Sequence, residues 1–244
     1  MRVVLIVQAR MGSTRLPGKV LLPLAGAPML ERQLERLSRC ELVDRIVVAT
    51  THREADDDIV SLVAGLGGVQ VYRGPEDDVL ARYLGAAREH GADVVVRVTS
   101  DCPLIDAEVI DTAISLCLAN QGRVAYVSNA VKRTYPRGLD VEVMPMSVLE
   151  QAAAEATDAA DREHVTAYIW RRPERFARLD VVAEEDDSDL RWTVDTPEDY
   201  ALAVRIYELL YPVKPAFGYR DVLALVDARP ELRDINQHVA QKQV

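Results

Sequence analysis

With 244 residues, 49% of them hydrophobic, the chain is long enough to bury the core of one domain, and disorder, collagen-like repeats and low complexity are excluded. Its 29 Lys and Arg against 39 Asp and Glu leave a net charge of -10, which repels a phosphate backbone and sets nucleic acid aside as a partner. No run reaches the length of a membrane span, the apolar stretch 3–7 is too short for a signal-peptide core, and Cys40, Cys102 and Cys117 leave one thiol over under any pairing; no membrane partner and a cytoplasmic location are expected.

In chain order, residues 3–8 read as a buried β-branched strand ended by a Gly- and Pro-containing loop over 9–19. Pro28 then opens a helix whose Met29, Leu30, Leu34 and Leu37 recur at helical spacing. Strands are expected over 45–50 and 69–73, helices over 56–66 and 77–90, and a fourth strand over 94–98 that runs into Thr99-Ser100-Asp101-Cys102-Pro103. This alternation of apolar strands with amphipathic helices over the first 120 residues is the pattern of a parallel, doubly wound α/β sheet. Past residue 121 the rhythm changes. Strands over 124–128, 139–144 and 176–182 with helices over 146–157 and 161–170 predict a mixed-sheet extension at about 124–182. A strand over 190–194 leads to a helix over 197–210 with Thr196 as N-cap and Pro197 in its first turn. One domain over 1–211 is expected, followed by a surface appendage over 212–244 that carries Pro212, Pro215 and Pro230.

Ligands of open α/β sheets bind beyond the carboxyl ends of the strands. The loop after the first strand holds Arg10, Arg15 and Lys19, Ser13 and Thr14, and Gly12 and Gly18 in an otherwise acidic chain. Glycines let backbone N–H groups approach, hydroxyls donate, and Arg and Lys neutralise charge, which is what a triphosphate needs. The spacing fits neither a Walker loop nor Gly-x-Gly-x-x-Gly, and a solvated basic turn is the plain alternative. Asp101 and Asp195 each follow a strand, where a carboxylate holds a hard divalent cation over phosphates; turn chemistry ahead of Pro103 and a helix-dipole carboxylate are the plain alternatives. Thr50 and Arg73 end the second and third strands, within reach of a nucleoside or phosphates. Asp140 and Glu142 share one face of a strand, and His164 invites either a general-base or an interfacial role. Arg97 shares a face with Val95 and Thr99, so its guanidinium needs a protein carboxylate such as Asp140 or Glu142, or an anionic ligand.

The segment Ala9-Arg10-x-x-Ser13-Thr14-Arg15-Leu16-Pro17-Gly18-Lys19 resembles the nucleotide-binding loop of the sugar-acid cytidylyltransferases, which include the 3-deoxy-manno-octulosonate and acylneuraminate enzymes. Asp101-Cys102-Pro103-Leu104-Ile105, Asn129, Gly138 to Val143, Arg162 to Thr166 and Arg191 to Asp199 narrow the resemblance to the spore-coat polysaccharide biosynthesis protein F branch. It covers the chain from Arg2 to about Tyr211 and implies a nucleotide-diphospho-sugar transferase fold, Rossmann-like, with a mixed, mainly parallel sheet between helices. It also implies CTP and Mg2+ as reactants and homodimers built through the second half, with Val165, Tyr168, Ile169 and Trp170 as core or dimer contacts. Carried over by position, Arg10, Ser13, Arg15 and Lys19 would bind the triphosphate and Asp101 and Asp195 the metal. Ala9, Thr50, Arg73 and Thr99 complete the expected nucleotide set, Arg97, Asp140, Glu142 and His164 the acceptor set, and Arg10, Lys19 and Asp101 would act in catalysis. The octulosonate enzymes have Asn, Gln and Glu where this chain has Arg97, Thr99 and Cys102, which leaves the acceptor open. The expected reaction is transfer of CMP from CTP to an anionic sugar or sugar acid, with release of pyrophosphate, for surface or spore polysaccharide. A sugar-nucleotide-dependent glycosyltransferase and a non-catalytic assembly partner are the alternatives.

Overall fold

The computed structural model describes residues 1–240. It opens with β1 (Val3–Gln8) and a hairpin of β2 (Pro23–Leu24) and β3 (Ala27–Pro28), followed by α1 (Met29–Leu37), β4 (Arg45–Thr51), α2 (Asp57–Leu66), β5 (Val69–Gly74), α3 (Val79–Glu89), β6 (Val94–Thr99) and α4 (Ala107–Ala119). The second half carries β7 (Tyr126–Ser128), β8 (Glu142–Pro145), α5 (Met146–Glu155), α6 (Ala159–Glu163), α7 (Ala167–Trp170), β9 (Arg178–Asp180), α8 (Pro197–Leu210), α9 (Tyr219–Ala228) and α10 (Glu231–Asp234). Among the described residues no helix is long and apolar enough to cross a membrane.

The seven-stranded sheet has the order β5-β4-β1-β6-β8-β7-β9. The first four strands run parallel, β8 pairs antiparallel with β6 and β7, and β9 runs parallel to β7. Along β1 the side chains alternate between two cores: Val3, Leu5 and Val7 pack with α1, α2 and α4, whereas Val4 and Ile6 pack with α3, α5 and α7. A strand covered by helices on both faces has no polar side to show, which is why β1 and β4 read as apolar runs and β6 as a run of valines broken by Arg97. The expected fold class is borne out, mixed extension included. Chain order reverses between β1 and β6, and the crevice at the carboxyl ends of those strands is where such sheets take ligands.

Four expectations need correction. Pro28 closes the β2–β3 hairpin and is the N-cap of α1 rather than its first helical residue, and the two residues between those strands, Ala25 and Gly26, both have positive φ. The segment 190–194 is extended but is no ladder strand: its one bridge joins Arg191 to Arg137. What seats it is Gly138, at φ +105, where a Cβ would come within 2.5 Å of the Thr193 nitrogen, so only glycine lets the two backbones approach. The helix over 161–170 is broken into α6 and α7 by a tight turn in which the Thr166 N–H donates to the His164 carbonyl and Val165 takes φ +58. A β-branched residue in that region is strained and persists because Val165, Tyr168 and Ile169 are buried in the second core, which also assigns them to packing within the chain. Finally, the tail through Leu232 is seated rather than appended: Phe217, Val222, Val226 and Leu232 complete a third core with Leu104, Leu139, Trp192 and α8.

Candidate active site

The loop leaving β1 is held open by its neighbours. Its Met11 N–H donates to Asp56 Oδ1 at 2.7 Å, and the other oxygen of that buried carboxylate accepts from the Thr51 hydroxyl. Arg73 clamps the same strap, donating to the Thr51 and Arg53 carbonyls at 2.8 Å each and to Asp57 at 2.6 Å. Gly18, at φ +66, turns the chain into the 3-10 turn Lys19–Leu21, which aims Lys19 back across the strand ends.

Two carboxylates meet that lysine. Lys19 Nζ donates to Asp195 Oδ1 and to the Val194 carbonyl at 2.8 Å each, and lies 3.5 Å from Asp101 Oδ2. Asp101 is aimed by the Thr99 hydroxyl, 2.5 Å from its Oδ1, and its own carbonyl accepts the Val194 N–H at 2.7 Å. That backbone bond carries Asp195 to the tip of β6, 94 residues further along the chain than Asp101. Asp195 Oδ2 meets Arg15 at 3.0 Å and Arg191 at 3.3 Å. Burial works against both charges, yet Asp101 and Asp195 outweigh it and hold the Lys19 pKa above its ordinary value. Burial likewise opposes ionisation of Asp195, and Lys19, Arg15 and Arg191 outweigh it, keeping its pKa below the usual carboxylate range.

These groups line an open cleft of about 260 Å³, together with Gln8, Arg10, Gly12, Ser13, Thr14 and Ser100. Arg10 makes no hydrogen bond or ion pair among the described residues, so its charge faces the cleft uncompensated. Thus Arg10, Ser13, Arg15, Lys19, Thr99, Asp101 and Asp195, chosen from sequence, converge. Ala9, Thr50 and Arg73 do not line the cleft: Ala9 is buried with its N–H on the Ala49 carbonyl, Thr50 is fully buried with its hydroxyl unpartnered among the described residues, and Arg73 braces the loop from behind. A carboxylate pair offering hard oxygens beside a cationic loop fits a divalent cation carried on a nucleotide, with Lys19 standing where the two carboxylates converge. No cluster of three or more His, Cys, Asp or Glu side chains placed to hold a metal occurs among the described residues.

The expected acceptor residues divide. Glu142, 6% exposed, accepts from Arg97 Nη1, the Tyr126 hydroxyl and the Thr166 hydroxyl, and is closed to a ligand. Of the partners the sequence offered Arg97, the structure therefore uses Glu142. Asp140 pairs with Arg133, whose Nη2 lies 3.0 Å from its Oδ2, and His164 sits half-buried at the α6–α7 break. Sequence reasoning missed Asp56, Arg191 and Asp199, which support the site without lining it. Asp56 looked like the start of a helix, and the only signal for Arg191 and Asp199 was their place within the Arg191-to-Asp199 motif.

Comparison with known proteins agrees with this geometry. Residues 4–216 match the family described as cytidylyltransferase. A cytidylyltransferase structure from Leptospira borgpetersenii superposes with a TM-score of 0.92 at 36% identity, covering 100% of both chains. An uncharacterised protein of Methanocaldococcus jannaschii is 36% identical over 99% of this chain and 97% of its own. The spore coat polysaccharide biosynthesis protein SpsF of Bacillus subtilis is 31% identical over 94% of this chain and 95% of its own.

Proposed function

The chain belongs to the cytidylyltransferase family and is a CTP-dependent nucleotidyltransferase, and from that premise we propose that it transfers CMP from CTP to an anionic sugar or sugar acid, releasing pyrophosphate, with Mg2+ required. Family membership sets aside the glycosyltransferase and the non-catalytic assembly partner. The observation that carries the proposal is the convergence of Asp101, Asp195 and Lys19 at the mouth of a cleft lined by Arg10, Ser13 and Arg15.

The reaction forms a bond from an acceptor oxygen to the α-phosphorus as the bond to the pyrophosphate oxygen breaks, the acceptor proton passing to water. Little covalent work falls to the protein; positioning and charge stabilisation dominate. Arg10 and Arg15 engage the phosphates as bidentate donors, and Ser13 adds a hydroxyl. Lys19 leaves the carboxylates it now bridges and turns to the β- and γ-phosphates, neutralising charge that grows on pyrophosphate. Asp101 and Asp195, once released from Lys19, would hold Mg2+, which would supply Lewis-acid polarisation of phosphate oxygens. Thr99 and the Asp101 carbonyl keep the two carboxylates facing one another.

The test is pyrophosphate release with each of the four nucleoside triphosphates and a panel of sugar acids, with and without chelator. Release with CTP and one sugar acid, lost on chelation, is the expected result; release indifferent to chelator, or preference for another triphosphate, overturns the reading. We place the reaction in surface or spore polysaccharide synthesis, supported by the likeness to SpsF, and in the cytoplasm, supported by three free cysteines. A homodimer is proposed on the family resemblance alone. Of the residues expected at its interface, only Trp170 keeps outward surface, and light scattering at micromolar concentration checks it.

A further inference from the structure

Behind Asp195, away from the cleft, three buried polar side chains close on one another. The Arg191 guanidinium grips Asp199 as a fork, with Nε to Oδ1 and Nη2 to Oδ2 both 2.8 Å, while Nη2 also reaches Asp195 Oδ2 at 3.3 Å. The Asp199 side chain is 0% exposed and accepts the backbone N–H groups of Asp195 at 3.0 Å and Thr196 at 3.1 Å. Its further donor is Asn236, whose Nδ2 lies 2.9 Å from Asp199 Oδ1 and 2.9 Å from the Arg191 carbonyl. Asn236 is itself 4% exposed and lies just past α10, beyond residue 216 where the family match ends.

The two N–H bonds of one amide thus tie the backbone of Arg191 to the carboxylate that orients the Arg191 side chain. We propose that Asn236 is a positioning residue for Asp195. It locks the Arg191–Asp199 fork, and the fork presents the Asp195 carboxylate to the cleft at a fixed angle. The proposal rests on the reading of Asp195 as a cation ligand given above. Without the amide, a buried carbonyl and a buried carboxylate oxygen each lose a donor, and the segment 191–195 is free to shift against the start of α8. Groups that orient a metal-binding carboxylate without touching the metal alter affinity or activity about 10- to 100-fold when removed.

The test compares Asn236→Ala with Asn236→Ser, the gentler change that keeps one hydroxyl donor, and with Gln237→Ala on the same segment, an exposed residue whose amide bonds Asp234. For each, Mn2+ affinity in the presence of CTP is read by electron paramagnetic resonance, half-saturating Mg2+ from initial rates, and melting temperature alongside. Both Asn236 variants should weaken Mn2+ binding and raise half-saturating Mg2+ by about 10-fold, Asn236→Ser less than Asn236→Ala, with the CTP KM within about twofold and Gln237→Ala at wild type. A lowered melting temperature with both cation measures unchanged would make Asn236 a mere fastener of the tail and overturn the proposal. Asp195→Asn separates the two layers. If it leaves the cation measures unchanged, the ligand reading of Asp195 fails; if it abolishes them while the Asn236 variants stay at wild type, only the positioning role fails.

Discussion

Arg97 stands four positions before Asp101 along β6 and the turn that follows, and the charges at the two positions are handled in opposite ways. Arg97 is paired inside the protein with Glu142, whose carboxylate is saturated by two further hydroxyl donors, and its guanidinium lies 5.7 Å from the Tyr83 ring centroid. Glu142 outweighs burial and drives the Arg97 pKa up, while burial pushes the Tyr83 hydroxyl to about 12, so neither titrates in any working range. Asp101 and Asp195, by contrast, meet cations on long side chains at the rim of a solvent-filled cleft, and Arg15 is 42% exposed. A ligand can replace Lys19 and Arg15 there without leaving a buried charge bare, since the buried Arg191 stays forked to Asp199. A sealed pair fixes register among β6, β7 and β8, whereas an open one is exchangeable, and exchange is what nucleotide binding asks of it.

The largest expected effect breaks the sealed pair. Glu142→Ala leaves a buried guanidinium without its partner and should lower unfolding free energy by about 3–5 kcal/mol in urea melts, while Arg97→Met combined with Glu142→Leu should recover most of that loss. An Arg97→Ala variant with unchanged stability and a raised acceptor KM would erase the contrast. In the open network, Asp101→Asn should cut kcat by about 10²–10³ with CTP affinity, read by calorimetry, changing far less. Affinity lost while turnover persists would reverse the roles given to Asp101 and the arginines. Lys19→Ala should cost on the order of 2 kcal/mol in kcat/KM with the melting temperature near wild type, since its carboxylate partners stay hydrated. Near-normal steady-state kinetics would remove Lys19 from the phosphate site.

The smallest effect is in pH. Lys19 is held above its ordinary 10.5, so its contribution is whole below that value and fades as pH rises through the folded pKa. Asp195 is held below its ordinary 3.8, so its contribution is whole above that value and is lost as pH falls through the folded pKa. Melting temperature should therefore be flat in this network from about pH 5 to 9 and begin to fall only in acid or strong alkali. A step near neutral pH would point to a group outside it.

The parallel half was legible because burial on both faces leaves β1 and β4 as largely apolar runs and β6 as a run of valines broken by Arg97, and the cationic loop stood out against an acidic chain. Asp195 was chosen as the end of a strand that does not form, whereas Asp101 was legible as the carboxylate just past β6. The position of the segment 190–194 was not, since it is set by docking on Gly138 and on the Asp101 carbonyl rather than by its own pattern. The break at Val165 was hidden because no local residue favours a left-handed turn there; packing in the second core imposes it. Asp56 gave no sign either, since a carboxylate before a helix has an ordinary reading, and its bond to Met11 spans 45 residues.

The bonds that Lys19 makes to Asp101 and Asp195 span 82 and 176 residues. Closing loops of that length is slow, and no short-range contact supplies either partner. The cleft is therefore assembled by segments far apart in sequence. During synthesis the cationic loop emerges long before both of the carboxylates that answer it, and only the docking of the segment before Asp195 on the Asp101 carbonyl completes the proposed nucleotide site. Turnover is for that reason a report on the whole domain: loosening α8 or the seat of Trp192 disperses the site as surely as removing one of its charges.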